Sequence, residues 1–305
     1  MTLELSSLVR AYARQPVPVE RVALSGEREW LLHRLDRVYP YQCGNKGPKV
    51  FARLAALKAA GCTGVVTVGG AFSNHLHALA AIGAQLGLRT AAMVRGLDAD
   101  LGNPTLADAA RWGMTLRPVQ RSCYTERGTQ AFQRWVGAQF PGYAFIAEGA
   151  CDDQGVAACE ALARQLNLLG GDVLVVPVGT GATLTGLRRG LDEGVAILAA
   201  DVVTHPDRRR DCLRALRVQW VDARFGGYGT VSDPLLSWLS RFFGRTGVLL
   251  DPLYNGKAAY WCDQQRLARV HLLHTGGVQG WRGLAARGRL HAHAGLHAAS
   301  ENLRF

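Results

Sequence analysis

The chain has 305 residues, 48% of them hydrophobic and 19% charged, with 35 Lys and Arg against 24 Asp and Glu, a net charge of +11 and a pI near 9.7. Such a chain can bury two modest cores, and no apolar run in it is long enough to span a bilayer. The seven cysteines (43, 62, 123, 151, 159, 212 and 262) form no C-x-x-C pair, which argues against a structural zinc or a disulfide framework and leaves free thiols.

In chain order, short apolar runs alternate with stretches of helical period. Strands are expected at "EWLLHRL", "GVVTV", "TAAMV", "MTLRPV", "YAFIA", "VLVVPV", "VAILAADVV" and "VHLLHT". Helices are expected at "PKVFARLAALKAAG", "NHLHALAAIGAQLG", "NPTLADAARWG" and "VAACEALARQLNLLG", several of which stop at glycine. This alternation predicts an α/β protein with two open, twisted, mostly parallel sheets and helices on both faces. With no repeat and no linker, a second domain is expected to be inserted in the first: a small domain over 46–146, a large one over 1–45 and 147–305, and a mobile tail over 285–305.

The N-terminus has no apolar core followed by a small-residue cleavage site, so a cytoplasmic location is expected. Excess positive charge raises the question of a nucleic-acid partner. The arginines are dispersed, "RRR" at 208–210 being the one run, and no zinc-finger spacing or aromatic RNA-binding stretch accompanies them; a solvated basic surface is the favoured reading. His291, His293 and His297 lack Cys or carboxylate companions, and no metal site is expected.

Three loops could carry chemistry. In "DVLVVPVGTGATLTGL" a strand runs into Gly179-Thr180-Gly181-Ala182-Thr183 and then a helix, a pattern that brings backbone N–H groups and a helix N-terminus to an anion. It is neither a P-loop, since Leu187-Arg188 replace Lys-Ser/Thr, nor a dinucleotide fingerprint, since Leu184 replaces the third glycine. In "VTVGGAFSNHLHA", Ser73-Asn74-His75 follow a strand: Ser73 is either a plain helix cap or a hydroxyl at the ligand edge of a parallel sheet. The third loop is "GNKGPK". Only four residues are lysine (46, 49, 58 and 257), against 31 arginines, and Lys46 precedes Gly47-Pro48 at a predicted helix N-terminus, which disfavours a protonated amine. Condensation with an aldehyde needs such an amine, and arginine cannot replace it. A reactive lysine beside a phosphate site implies pyridoxal 5'-phosphate.

Together, "GNKGPK", "VGGAFSNH", "NPTLADAARWGM", "VGTGATLTG", "DPLYNGK" and "HTGGVQGWRG" resemble, in order and spacing, the 1-aminocyclopropane-1-carboxylate deaminase/D-cysteine desulfhydrase family, pyridoxal-phosphate enzymes of fold type II related to the tryptophan synthase β chain. The resemblance covers roughly residues 30 to 283. It implies that Lys46 holds the cofactor covalently, that Asn74 bonds its phenolic oxygen, that Gly179, Thr180, Gly181, Ala182 and Thr183 hold its phosphate, and that Thr275 meets its ring nitrogen. It further implies substrate contacts from Ser73, Asn74 and His75, active-site tyrosines at Tyr254 and Tyr228, and a homodimer.

Deaminases of the family place a glutamate after the tyrosine of D-P-x-Y and a leucine in H-x-G-G. Here these positions are Asn255 and Thr275. A hydroxyl is expected to leave the ring nitrogen neutral, a weaker electron sink that suits β-elimination better than opening a cyclopropane. The expected reaction is D-cysteine desulfhydrase-type α,β-elimination to pyruvate, ammonia and sulfide, with the freed Lys46 as the base. The alternatives are the cyclopropane-carboxylate deaminase, a cofactor-binding protein without turnover and a basic partner-binding protein. The sequence departs from the family at Gly47-Pro48, where a bulky residue is frequent, and at Ala150-Cys151-Asp152, in place of Gly-Gly-Ser-Asn.

Overall fold

The computed structural model describes residues 15–39, 41, 43–203, 213, 216–226 and 229–305. Tyr228, Cys212 and the arginine run at 208–210 lie outside the described residues.

Ten strands form two sheets: β1 Val19–Ala23, β2 Glu29–Arg34, β3 Gly64–Gly69, β4 Arg89–Arg95, β5 Thr115–Val119, β6 Tyr143–Phe145, β7 Val173–Val178, β8 Ala196–Asp201, β9 Gln219–Asp222 and β10 Arg269–His274. The larger sheet runs β1-β2-β10-β7-β8-β9 and the smaller β5-β4-β3-β6, parallel throughout except where β1 pairs antiparallel with β2. All strands of the smaller sheet fall in sequence between β2 and β7 of the larger.

Strand side chains alternate between two apolar clusters, as a period of two requires. Leu174, Val176 and Val178 of β7 face the same central cluster as Val65 of β3 and Ala92 and Val94 of β4. Val175 of β7 faces a second cluster with Trp30, Leu235 and Trp281, while Val66, Val68 and Met93 face a third on the far side of the smaller sheet. Burial on both faces is why these strands read as unbroken apolar runs.

The helices are α1 Lys46–Ala59, α2 Asn74–Leu86, α3 Pro104–Arg111, α4 Arg121–Thr125, α5 Gln130–Gln139, α6 Asp153–Ala163, α7 Ala182–Gly190, α8 Asp233–Thr246, α9 Asn255–Gln264, α10 Gly280–Ala286 and α11 Ala294–Glu301. Helix α3 shows how the sequence sets a start: Asn103 accepts from the N–H groups of Thr105 and Leu106, with Pro104 at the first position. Residues 285–305, expected as a mobile tail, differ from that expectation. Helix α11 buries Leu296 and Ser300 against the larger unit, and the Phe305 ring meets His77 of α2 edge-on at 5.1 Å. Leu290 and Leu296 are buried in the second apolar cluster, and Leu303 and Phe305 pack against it. Among the described residues no helix is long and apolar enough to cross a membrane.

Candidate active site

Four loops converge where the carboxyl ends of β3, β7 and β10 face the start of α1. The turn before α1 is locked onto the end of β10: the Asn45 N–H donates to the Thr275 carbonyl at 3.1 Å, and a Cβ on Gly44 (φ +54°) would strike that same carbonyl. Only glycine fits there. Gly47 has a different reason: the ring of Tyr39 fills the space its side chain would need, so the small residue after Lys46 is matched by a large one seven positions before that lysine.

Helix α1 begins at Lys46, as its sequence predicts. The Lys46 Nζ donates to Asn45 Oδ1 at 2.8 Å, and Asn45 Nδ2 donates to Thr183 Oγ1 at 2.9 Å. The Lys46 amine has a pKa well below the ordinary lysine value; burial is the main cause and the positive charge of Lys49 the next, with Cys159, Asp251 and Cys151 opposing. The sequence points to the helix N-terminus as the source of the depression. In the fold, desolvation and a second lysine one helical turn away supply it.

No motif in the sequence singles out Lys49. It is 3% exposed, its Nζ lies 3.3 Å from Thr183 Oγ1, and among the described residues it pairs with no carboxylate. A buried cation without a counter-ion is costly. The rarity of lysine that marks Lys46 applies equally to Lys49 and is the signal that could have found it.

The glycine loop after β7 turns at Gly181 (φ +94°), where a Cβ would lie 2.6 Å from Leu213. Helix α7 follows with no side chain capping its first N–H groups, which leaves them open to a ligand. Thr183 is buried on this first turn, next to Lys49, Asn45 and Cys159. Tyr254 lies close to Gly179: a Cβ there would sit 3.2 Å from Tyr254 Cε1. Behind the loop, Gly149 (φ +69°) abuts Thr180, and the following Ala150 holds φ +48°. That backbone is the kind glycine adopts freely and alanine only at a cost of about 1–2 kcal/mol, the physical content of the departure at this position.

From the smaller sheet, Ser73 caps α2, accepting from the N–H groups of His75 (3.2 Å) and Leu76 (3.3 Å). The capping bonds use its lone pairs, so the hydroxyl hydrogen stays available for an acceptor in the cleft. The Asn74 Oδ1 accepts from Gln279 Nε2 at 2.6 Å, which fixes the amide so that Nδ2 can donate, and Gly277 (φ +90°) leaves room for it. Gln279 lies within the stretch "HTGGVQGWRG", but nothing there points to its bond with Asn74, 205 residues away. His75 is buried with Nε2 2.9 Å from Thr67 Oγ1, and Thr67 donates to the Ile146 carbonyl, so Nε2 carries the ring hydrogen. Burial and the charges of Lys46, Lys49 and Arg53 lower its pKa to about 3, which makes it a neutral ring.

The buried Lys49, an open helix N-terminus and a glycine turn make a pocket suited to a dianion, beside Lys46, an amine whose lowered pKa suits condensation with an aldehyde. A sequence profile of the family described as pyridoxal-phosphate dependent enzyme matches residues 35–265. The chain belongs to that family. Among curated proteins none matches it by sequence. By structure this pyridoxal-phosphate dependent enzyme is similar to an ACC deaminase homologue (20% identity, TM-score 0.78, 94% of this chain and 98% of that one). It is also similar to the serine racemase of Dictyostelium discoideum (17%, 0.60, 91% and 99%) and to a hydrogen sulfide-producing enzyme from Fusobacterium nucleatum (12%, 0.59, 91% and 99%). At these identities the likeness is one of fold.

The residues present fit pyridoxal phosphate. For this enzyme Lys49→Met is expected to weaken cofactor binding roughly 10- to 100-fold, since a charge-assisted hydrogen bond contributes about 1.5–3 kcal/mol. Titration of the apoenzyme with the cofactor, followed by visible absorbance, measures it; an unchanged Kd would remove Lys49 from the phosphate site.

Proposed function

We propose that the protein catalyses the α,β-elimination of a small D-amino acid in the manner of a D-cysteine desulfhydrase: D-cysteine and water give pyruvate, ammonia and hydrogen sulfide. The observation that carries this reading is at the end of β10. There the Thr275 hydroxyl donates to the Asn255 amide oxygen at 3.0 Å, and in this reading that hydroxyl, in place of a carboxylate, is the partner of the ring nitrogen. A hydroxyl holds less positive charge on the ring than a carboxylate would, which suits loss of a good β-leaving group better than opening an unactivated ring.

Pyridoxal phosphate, when bound, supplies the electron sink that makes the substrate Cα–H acidic. In this reading Gly179 to Thr183 and Lys49 hold its phosphate, the Asn74 amide donates to its phenolic oxygen, and Lys46 Nζ binds its aldehyde carbon. Lys46 Nζ, once free of the cofactor, would take the substrate Cα proton, a role that the downward shift of its pKa favours. The Ser73 hydroxyl donates to the substrate carboxylate, which also meets the positive end of α2. Tyr254 lies beside Gly179, at the start of the loop proposed to hold the phosphate.

Release of 2-oxo acid from D-cysteine, β-chloro-D-alanine, L-cysteine, D-serine and 1-aminocyclopropane-1-carboxylate tests the reading. The two D-substrates with good leaving groups are expected to give kcat/KM at least about tenfold above the others, a discrimination of the size a few contacts supply. Faster turnover of the cyclopropane acid would replace the reading by the deaminase, and silence from all five with the cofactor bound would end it.

A further inference from the structure

The hydrogen bonds behind Thr275 run in one direction, and backbone groups fix that direction. Asn255 is fully buried at the start of α9. Its Oδ1 accepts the Thr275 N–H at 2.8 Å, while its Nδ2 donates to the Gly276 carbonyl at 2.9 Å and to Asp251 Oδ1. A backbone N–H can only donate and a carbonyl can only accept, so the amide cannot be turned over without losing both bonds.

With its orientation fixed, Asn255 Oδ1 has no hydrogen to give. The Thr275 hydroxyl, 3.0 Å from it, therefore donates its single hydrogen to Oδ1. What Thr275 Oγ1 retains for a ligand is lone pairs alone. Chemically it is a hydroxyl, yet toward the cleft it behaves as an acceptor.

Asp251 anchors the chain. Its Oδ1 accepts from the Asn255 N–H (2.7 Å) as well as from Nδ2, and its Oδ2 from the N–H groups of Leu253 (3.0 Å) and Tyr254 (2.8 Å). Burial pushes its pKa up, opposed by these donors and by His274. Every group at its two oxygens is a donor, so an acid proton there would have no acceptor, and the carboxylate is the form the site accommodates. Negative charge at Asp251 is thus relayed through the Asn255 amide to the Thr275 oxygen.

Strands β7 and β10 are parallel neighbours with Leu272 opposite Val175, and Thr275 follows directly on the end of β10 as the loop proposed for the phosphate follows directly on the end of β7. We propose that Asp251, Asn255 and Thr275 form a one-way relay that offers the cofactor's ring nitrogen an acceptor only, so that this nitrogen is held protonated. The inference rests on the reading of Thr275 as the partner of that nitrogen, and it reverses the sequence-based expectation of a neutral ring. A bare nitrogen there would set lone pair against lone pair. Because a hydroxyl accepts less strongly than a carboxylate, the resulting sink is weaker than that of a carboxylate-backed site, in keeping with elimination.

The experiment is reconstitution with pyridoxal phosphate labelled with 15N in the ring, read by NMR near neutral pH. The wild-type enzyme and Thr275→Ser are expected to show the label at the pyridinium position. Thr275→Val, which removes the acceptor and keeps the volume, and Asn255→Leu, which frees the hydroxyl to donate, are expected to move it to the neutral pyridine position. In parallel, a cofactor analogue with CH in place of the ring nitrogen is expected to bind the wild type roughly tenfold or more weakly than the cofactor, and Thr275→Val without that difference. A neutral signal in the wild type, or a pyridinium signal that persists in Thr275→Val, would overturn the relay and leave the proposed reaction standing. No protein-bound signal at all would overturn both.

Discussion

Lys46→Met is expected to lower kcat by at least about 10⁴-fold, because in the proposed reaction it removes at once the amine that holds the aldehyde and the base that takes the substrate proton. Lys49, one helical turn on, is not expected to take over: it is bonded to Thr183 and, in the proposed site, holds the phosphate. The pH profile gives the argument its sign. The released amine must be uncharged to take the proton, so kcat, which reports the enzyme with substrate bound, is expected to rise with pH through the pKa of Lys46, a limb that starts from an amine whose pKa lies well below the ordinary lysine value of ~10.4. In Lys49→Met one of the charges that depresses this pKa is gone, and the limb is expected to move to higher pH. Stability carries the same signature. Unfolded Lys46 binds a proton up to ~10.4 and the folded form releases it earlier, so the unfolding free energy of the apoenzyme rises with pH across that window. Lys46→Met abolishes that contribution and is expected to raise the urea midpoint of the apoenzyme at pH 7. Retained turnover in Lys46→Met would refute its role, and an acid limb that does not move in Lys49→Met would refute the pairing of the two lysines.

The parts of the fold that could be read in advance are those where one physical effect dominates. β7, buried on both faces, was legible from its first residue to its last, and β3 and β4 to within a residue or two, because no other element writes an unbroken short apolar run. β1 and β9 were not read. They are edge strands of five and four residues, with Val19 and Arg21 exposed on one and Gln219 and Asp222 on the other, and nothing in "VERVA" or "QWVD" separates them from loop. Helix α9 was hidden for a different reason: its cap is Asp251, four residues before Asn255 and across a proline, outside the position where a cap is sought. The site divides the same way. Lys46 and the phosphate loop announce themselves by rarity and by glycine. The Gln279–Asn74 bond and the direction of the Thr275 hydroxyl are set by approaches between segments far apart in sequence, which no local pattern encodes.

Asp251→Ala is the substitution expected to cost the most stability, about 3–5 kcal/mol. Four N–H donors, three from the backbone at 253–255 and one from the Asn255 side chain, would be left facing a void in the interior. The loss would spread, because these donors hold the first turn of α9, and the Asn255 amide in turn holds Thr275 and Gly276 at the end of β10. A fall in Tm of roughly 10 °C is expected, with weaker cofactor binding as the turn beside Tyr254 loosens. Asp251→Asn separates charge from shape. It keeps one acceptor oxygen but sets an NH2 against N–H groups, so it is expected to fall between wild type and Asp251→Ala in stability. If the buried charge were only a burden, Asp251→Asn would instead be as stable as the wild type or more so. Calorimetry of both variants decides it: a Tm within a degree or two of wild type for Asp251→Ala would mean that α9 is held by apolar packing alone, and the orientation of Asn255 would then have no anchor.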